Sequence, residues 1–274
     1  MLDEKQYGAP DEARHHGHGQ SHGAQIEIQY FTDPLCCWSW AFEPQWRRLR
    51  YEFAGQLKWR YHMGGLIPDW TRFSDPLNDV SRPLQMGPLW FEARHLSGMP
   101  IDDKLWFSDP PKSSYPACIA VKCAQQQSPE ATEAYLRSLR KAVMTEGRNI
   151  ARKQVLVDIA AELAIREPAL LDAGAFERAL SGEPARKAFE QDLQMVRAYN
   201  ISRFPALTLK RPGASGVMIV GYRPYDALLV ALEQAAPGIK PTRRAEDRQA
   251  YQSFWPDAND RELAEATPAA PHRQ

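Results

Sequence analysis

The chain has 274 residues, of which 43% are apolar and 25% are charged, the balance of an ordinary globular protein. Its 34 basic and 34 acidic residues cancel, which argues against an extended face for nucleic acid, because such a face needs a surplus of Lys and Arg. No stretch approaches the run of about 20 apolar residues that spans a bilayer. The composition therefore predicts a globular protein that binds neither nucleic acid nor membrane.

The first segment, residues 1–24, is polar and rich in Gly and His, and it lacks the apolar core of a secretory signal. A cytoplasmic location is therefore expected, and in that reducing compartment the four cysteines are expected to be thiols. The segment is predicted to be a disordered tail. Its histidines could hold a divalent metal, but short His-rich tails are weak signals and no metal site is predicted. They are His15, His16, His18 and His22.

Two strands and a helix are predicted in the first part of the body, residues 25–66. Apolar and polar side chains alternate over residues 26–30 and again over 57–63, the period of half-buried strands. Between them, residues 38–53 carry large apolar side chains at spacings of three and four, which predicts a helix. A strand–helix–strand order implies a parallel pair of strands with a right-handed crossover.

The longest segment, residues 67–199, is predicted to be a helical subdomain inserted between the two parts of the sheet. Pro and Gly interrupt its first half around one helix near 88–96, and the pattern from 115 onward is nearly all helical. A segment of this length is too long to be a loop within a compact domain.

The second part of the body, residues 200–236, contains two strands at 206–210 and 217–221, joined by a Pro/Gly-rich turn, and a helix at 225–235. Helices on a mixed sheet of this kind form an α/β layer architecture. The remaining residues, 237–274, are predicted to be a polar tail with three side chains that could dock it to the body: Tyr251, Phe254 and Trp255.

Cys36 stands where the first strand gives way to the helix, directly after Asp33-Pro34-Leu35. A helix start presents backbone N–H groups without intrahelical partners, and its dipole favours an anion. Both effects are expected to lower the pKa of the Cys36 thiol and so to raise the population of the nucleophilic thiolate. An inert buried thiol is the alternative interpretation.

The segment around this cysteine, FTDPLCCWSWAFEP at 31–44, resembles the active-site segment of DsbA-like oxidoreductases of the thioredoxin superfamily, in particular their FrnE-like branch. The segment ISRFPAL at 201–207 resembles the cis-proline loop of that family, and it precedes the predicted hairpin. Shorter matches are MGGL and SSYPAC, at 63–66 and 113–118. The resemblance implies a thioredoxin-like fold with a large inserted all-helical subdomain.

The family pattern places a resolving cysteine where this chain has Ser39, so the motif here is Cys-x-x-Ser. A dithiol enzyme uses its second thiol to expel the partner from a mixed disulfide. With serine at that position the mixed disulfide waits for an outside thiol, and Ser39 is expected to donate a hydrogen bond to the Cys36 thiolate. Cys37 and Cys118 are the alternative resolving thiols. A bridge between adjacent cysteines is strained, and Cys118 is more simply a small buried side chain.

A substrate is expected to lie beside Phe204 and Pro205. The resemblance implies a cis peptide bond at Pro205 and places the Phe204 backbone opposite Cys36, where an extended peptide could add as a strand. An ordinary trans proline that opens an edge strand is the alternative. Trp38 and Trp40 are candidate substrate contacts, although aromatic side chains at such positions also serve as core.

Three functions follow from the resemblance. The first is a thiol–disulfide oxidoreductase that works through Cys36 alone, requires no cofactor, and exchanges with protein thiols and disulfides or with glutathione as co-substrate. The second is a non-catalytic adaptor of the same superfamily that presents a protein partner to a protease. The third is a glutathione-dependent transferase or isomerase, in which serine usually stands at the position of Cys36. The fold alone does not choose among them, because function lies in the site.

Overall fold

A computed structural model of the protein describes residues 25–267. The predicted N-terminal tail, with its four histidines, lies outside the described residues, as do residues 268–274.

A four-stranded mixed sheet forms the centre of the molecule, with the strand order β2-β1-β3-β4. β1 (Ile26–Thr32) and β2 (Leu57–Met63) run parallel, with Ile26 opposite Leu57. β3 (Ala206–Lys210) is antiparallel to β1, and β4 (Val217–Val220) is antiparallel to β3. All four strands lie where the sequence predicts them, with differences of one or two residues at their ends.

Helices surround the sheet, and seven of them, α3 to α9, fall in the predicted insertion. Among the described residues none is both long and apolar enough to cross a membrane. The α-helices within residues 25–267 are α1 (Cys37–Ala41), α2 (Glu43–Glu52), α3 (Met86–Ser97), α4 (Leu105–Ser108), α5 (Tyr115–Gln125), α6 (Pro129–Thr145), α7 (Lys153–Arg166), α8 (Ala173–Leu180), α9 (Glu183–Ala198), α10 (Tyr225–Ala235), α11 (Arg248–Phe254) and α12 (Asp260–Ala266).

The single helix predicted over residues 38–53 is divided into α1 and α2 at Phe42, which keeps a helical backbone with φ −86° and ψ −9°. Pro44 explains the division, because it has no N–H to donate to the carbonyl of Trp40 and its ring disfavours a continuing helix. Hydrogen bonding resumes when Trp46 N donates to the Phe42 carbonyl at 3.1 Å. The short α1 therefore carries the cysteine segment separately from the longer α2.

The inserted helices cover two sides of the body. α3 packs on α1, and Trp40 Nε1 of α1 donates to the carbonyl of Pro100, just beyond α3, at 2.9 Å. α5 and α9 pack together, and α9 lies against the edge strand β2. A buried charged cluster joins these three elements: Asp192 of α9 lies 3.0 Å from the imidazole of His62 and forms an ion pair with Lys122 of α5. The insertion is thus anchored on the sheet.

The segment predicted as a polar tail forms two helices instead. α11 and α12 pack on each other, and α12 also packs on α2. Tyr251, Trp255 and Leu263 form a small apolar cluster with Tyr51 of α2. Two of the three predicted docking residues, Tyr251 and Trp255, are therefore buried.

The prediction of a tail is wrong because carboxylates of this segment pair with buried arginines of the body. Asp257 and Glu262 bind Arg47 of α2 and Arg137 of α6. Carboxylates that look like solvated residues in the sequence are here partners of arginines elsewhere in the chain. No local pattern reveals such long-range pairs.

Candidate active site at Cys36

Cys36 is the N-cap residue of α1, with φ −78° and ψ 110°, directly after β1. Its carbonyl accepts from Ser39 N at 3.1 Å and from Trp40 N at 3.2 Å, the first bonds of the helix. Its own N–H donates to the Asp33 carbonyl at 3.1 Å, which closes a tight turn between strand and helix. The backbone therefore presents Cys36 at a helix start, as its place in the sequence predicts.

The proline loop lies opposite the cysteine. The Phe204–Pro205 peptide bond is cis, and Cys36 Sγ donates to the Phe204 carbonyl at 3.7 Å. The Pro205 carbonyl accepts from Gly221 N at 2.7 Å, which ties the loop to the end of β4. The structure thus brings Cys36 together with Phe204, which lies 168 positions away in the chain.

Gly64 is a residue of this site that the sequence analysis named only within the MGGL match. A Cβ built on Gly64 would overlap three ring atoms of Phe204. Gly64 N also donates to the Thr32 carbonyl at 2.6 Å, so its backbone is fixed beside β1. Glycine is required here because the aromatic ring occupies the space of a side chain. The signal in the sequence was the MGGL match, which carried no indication of this contact.

The pKa of the Cys36 thiol is raised above its ordinary value, mainly because the side chain is buried. The hydroxyl and backbone N–H of Ser39 lower this pKa, the Asp33 carboxylate raises it, and Arg140 lowers it. The prediction of a lowered pKa is therefore not met. The helix start does supply donors, but the loss of hydration outweighs them.

Ser39 nevertheless has the position expected of a helper to the thiolate. Its hydroxyl is buried, and within residues 25–267 it has no hydrogen-bond partner while Cys36 is a thiol. The same hydroxyl favours the thiolate of Cys36 as a hydrogen-bond donor. Ser39 is thus poised for the anionic form of the sulfur.

Asp33 is a second site residue that the sequence did not identify. Its buried carboxylate accepts from Leu35 N at 2.9 Å, Leu66 N at 2.7 Å, Ser114 Oγ at 2.8 Å and Cys118 Sγ at 3.3 Å. Burial raises the pKa of this carboxyl, although the four donors act in the opposite direction. Asp33 therefore holds the cysteine turn, the end of β2 and the start of α5 together.

The other thiols are buried, and all four cysteines are free. Burial raises the pKa of Cys37 and of Cys118 well above the ordinary value, and that of Cys123 to about 12. Cys118 is near the site through its bond to Asp33, whereas Cys37 lies in the core beneath α1. In the described part of the chain, no group of three or more His, Cys, Asp or Glu side chains is arranged to hold a metal ion.

The two candidate tryptophans have different environments. Trp38 is half-buried, and its ring centroid lies 5.9 Å from that of Tyr222. Trp40 is only 1% exposed, and the guanidinium of Arg137 lies 4.4 Å above its ring. Its proposed contact with a substrate is therefore corrected to a core role. Sequence reasoning did not identify Tyr222, the aromatic partner of Trp38.

Comparison with known proteins agrees with this architecture. The sequence model of the family described as Thioredoxin matches residues 30–229, and the chain belongs to that family. The fold is the DsbA-like form of the thioredoxin fold, with a helical insertion between its two parts.

The names of the similar proteins are of two kinds, one for an adapter and the other for disulfide chemistry. The ClpXP adapter protein SpxH of Halalkalibacterium halodurans is 28% identical over 221 residues, which cover 80% of this chain and 70% of that protein. A protein from Nitrosomonas europaea, named as a protein disulfide isomerase, has a similar structure with a TM-score of 0.63 at 22% identity, covering 77% of this chain and 97% of that one.

The cytosolic disulfide reductase DsbM of Pseudomonas aeruginosa is also similar, with a TM-score of 0.55 at 22% identity, covering 84% of this chain and 97% of that one. It has been solved with GSH as well. At these identities the structural likeness concerns the fold, and the site of this chain must supply the argument for its function.

Proposed function

We propose that the protein is a thiol–disulfide oxidoreductase that acts through Cys36 alone. The observation that carries the proposal is the hydrogen bond of 3.7 Å from Cys36 Sγ to the Phe204 carbonyl. It places the thiol beside a backbone segment to which an extended chain can add by strand pairing. The names of the structural relatives, a disulfide isomerase and a disulfide reductase, support the same chemistry.

The exchange consists of two displacements. The Cys36 thiolate attacks one sulfur of a substrate disulfide, forms a mixed disulfide, and releases the other sulfur as a thiolate. A second thiolate, for which we propose glutathione, attacks the substrate sulfur of the mixed disulfide, and Cys36 leaves as a thiolate. Ser39 donates to the sulfur in its anionic form and so stabilises Cys36 as attacking and as leaving group. We also propose that the protein works in a reducing, cytoplasmic compartment and belongs to the FrnE-like branch.

Replacement of single cysteines tests the proposal. Cys36→Ala is expected to reduce the glutathione-dependent reduction of a glutathionylated peptide to background, because no other thiol faces the Phe204 carbonyl in the described structure. Cys37→Ala and Cys118→Ala are the matched controls, and both are expected to retain turnover. Activity that survives Cys36→Ala, or that disappears equally in all three variants, would rule out a single-thiol mechanism at Cys36.

An adaptor is the second candidate, and the buried state of Cys36 favours it. Burial raises the pKa of the thiol and so keeps the nucleophilic form scarce at rest, and the SpxH relative is named as a ClpXP adapter. An adaptor is expected to bind purified ClpXP equally well as wild type and as Cys36→Ala. Binding without any turnover of the glutathionylated peptide would favour the adaptor over the enzyme.

A further inference from the structure

A chain of buried charges begins in the C-terminal segment, which we define as residues 245–267. Asp257, in the loop between α11 and α12, accepts from Arg47 Nη2 at 2.9 and 3.0 Å and from Arg137 Nε at 3.1 Å. Glu262 of α12 accepts from Arg137 Nη2 at 2.8 Å and lies 3.5 Å from Arg47 Nη1. Two carboxylates of the C-terminal segment thus share two arginines of the body.

Glu43, at the start of α2, forms the next link. One of its oxygens lies 3.7 Å from Arg47 Nε and 3.8 Å from Arg137 Nη1. Its other oxygen accepts from Arg140 of α6, which is only 1% exposed. Arg140 also donates to the hydroxyl of Thr32, at the end of β1. The two arginines therefore compete with Arg140 for a single carboxylate.

The chain ends at the cysteine site. Thr32 lies four positions before Cys36, and Arg140 favours the thiolate of Cys36 by its charge. Arg137 makes a second connection, because its guanidinium stacks on Trp40 of α1, the helix that Cys36 caps. Charge alternates along the whole path from Asp257 to Arg140.

The charges of this path balance as three arginines against three carboxylates. Removal of one carboxylate charge leaves a positive surplus near α1, and Glu43 is drawn further toward Arg47 and Arg137. Glu43 then neutralises the charge of Arg140 less, so that Arg140 attracts the Cys36 thiolate more strongly. Charges in a protein interior act over longer distances than in water, because the effective dielectric constant is lower.

We propose that the C-terminal segment is a positioning element for the Cys36 site, in which Asp257 and Glu262 set how much positive charge the buried arginines present to the sulfur. The segment lies beyond residues 30–229, the range that the family model matches. The inference rests on the proposed function of Cys36 as a thiol nucleophile.

The other groups that face Cys36 lie outside the C-terminal segment. Asp33 lies in the turn before the cysteine, Tyr30 is on β1, Cys37 is on α1 and Arg140 is on α6. A change at Asp257 therefore reaches the sulfur only through the arginines.

The test is the pH dependence of Cys36 alkylation, measured by mass spectrometry of the Cys36 peptide, in Asp257→Asn and in a matched control. Asp257 is about half-exposed, and asparagine keeps one acceptor, so the variant is expected to fold. Asp247→Asn is the control, because it removes the same charge from the same segment and asparagine also caps a helix well. Asp257→Asn is expected to lower the midpoint by a few tenths to about one pH unit.

Two further results complete the test. Asp247→Asn is expected to titrate as wild type, and Asp257→Glu, which restores the charge, is expected to return the midpoint toward wild type. An unchanged or raised midpoint in Asp257→Asn, or equal shifts in Asp257→Asn and Asp247→Asn, would overturn the inference. Loss of cooperative unfolding in Asp257→Asn alone would also overturn it, because the contact would then serve stability only.

The test of the proposed function and the test of this inference can fail independently of each other. The alkylation midpoint requires no substrate, so it can shift as expected even if Cys36→Ala keeps its turnover. Conversely, turnover lost in Cys36→Ala with an unshifted midpoint in Asp257→Asn would leave the enzyme intact and remove only the positioning role.

Discussion

At the scale of single residues, the absence of one side chain brings the two halves of the site together. The Phe204 ring lies in the space that a Cβ on Gly64 would occupy, and the Phe204 carbonyl is the acceptor of the Cys36 thiol. Gly64 therefore allows the proline loop to approach the end of β2. The distance between the loop and the sulfur depends on a position that carries no chemistry of its own.

Gly64→Ala is expected to displace the proline loop and lower both stability and turnover, with a stability loss of about 1–3 kcal/mol from overpacking. Gly87→Ala in α3 is the matched control, because its nearest contact would be an ordinary 3.5 Å to the Phe107 ring. Denaturant unfolding and the peptide-reduction assay measure the two effects. A Gly64→Ala protein as stable and active as Gly87→Ala would contradict this role.

The residues of the site differ in how visible they are in the sequence. Cys36, Phe204 and Pro205 belong to local motifs, so the sequence predicts both their identity and their meeting. Asp33 belongs to the same motif as Cys36, but its contacts with Leu66, Ser114 and Cys118 cannot be read from it. Arg140 also acts through contacts with distant segments, and no local pattern marks it. The pKa of Cys36 could not be predicted either, because it depends on how completely other elements bury the thiol.

At the scale of elements, side-chain periodicity predicts those strands and helices whose formation depends on local contacts. β1 and β2 carry alternating side chains, and α10 lies at residues 225–235 as expected. The break between α1 and α2 follows from Pro44, a local signal that apolar spacing obscured. α11 and α12 were missed because their stability comes from docking on α2, and because carboxylates that pair with distant arginines look like a solvated surface.

Leu263→Ala tests whether α12 is part of the folded body. Leu263 is buried in the cluster with Tyr51, Tyr251 and Trp255, so its truncation is expected to cost about 2–5 kcal/mol of unfolding free energy. Leu77→Ala is the matched control, since Leu77 is 73% exposed and its loss is expected to stay within about 0.5 kcal/mol. Equal unfolding midpoints in urea for the two variants would show that α12 is only loosely attached.

At the scale of the whole molecule, ion pairs with buried basic side chains join elements that are distant in sequence. The pairs of Asp257 with Arg47 and Arg137 connect the C-terminal segment to α2 and α6, and Asp192 connects α9 to α5. Removing one partner of such a pair leaves an uncompensated charge, which costs more than the pair itself contributes. The stability of the molecule is therefore expected to depend on the ionisation of Asp257.

Acid is expected to weaken the fold through Asp257. Burial raises its pKa, but the charges of Arg47 and Arg137 more than offset this, so the pKa lies below the ordinary value of 3.8. The native state then binds fewer protons than the unfolded state in this range, so the stabilisation is present above the ordinary value and is lost as pH falls through the native one. Asp33 acts in the opposite direction, because its pKa is raised.

The difference between wild type and Asp257→Asn isolates the contribution of Asp257. Unfolding free energies in urea, measured from neutral pH down to about pH 2, are expected to converge for the two proteins as the pH falls. A constant difference across that range would mean that the carboxylate charge of Asp257 contributes no pH-dependent stability.

Asp257 and Glu262 follow their arginine partners in the sequence, and this order matters for folding during synthesis. During translation, Arg47 and Arg137 leave the ribosome before Asp257 and Glu262, and chains fold from the N-terminal side. Until the last two helices dock, these arginines need water as their partner, since an unpaired charge is costly to bury. We therefore expect the nascent protein to keep the α2–α6 seam hydrated until α11 and α12 have been synthesised and have docked.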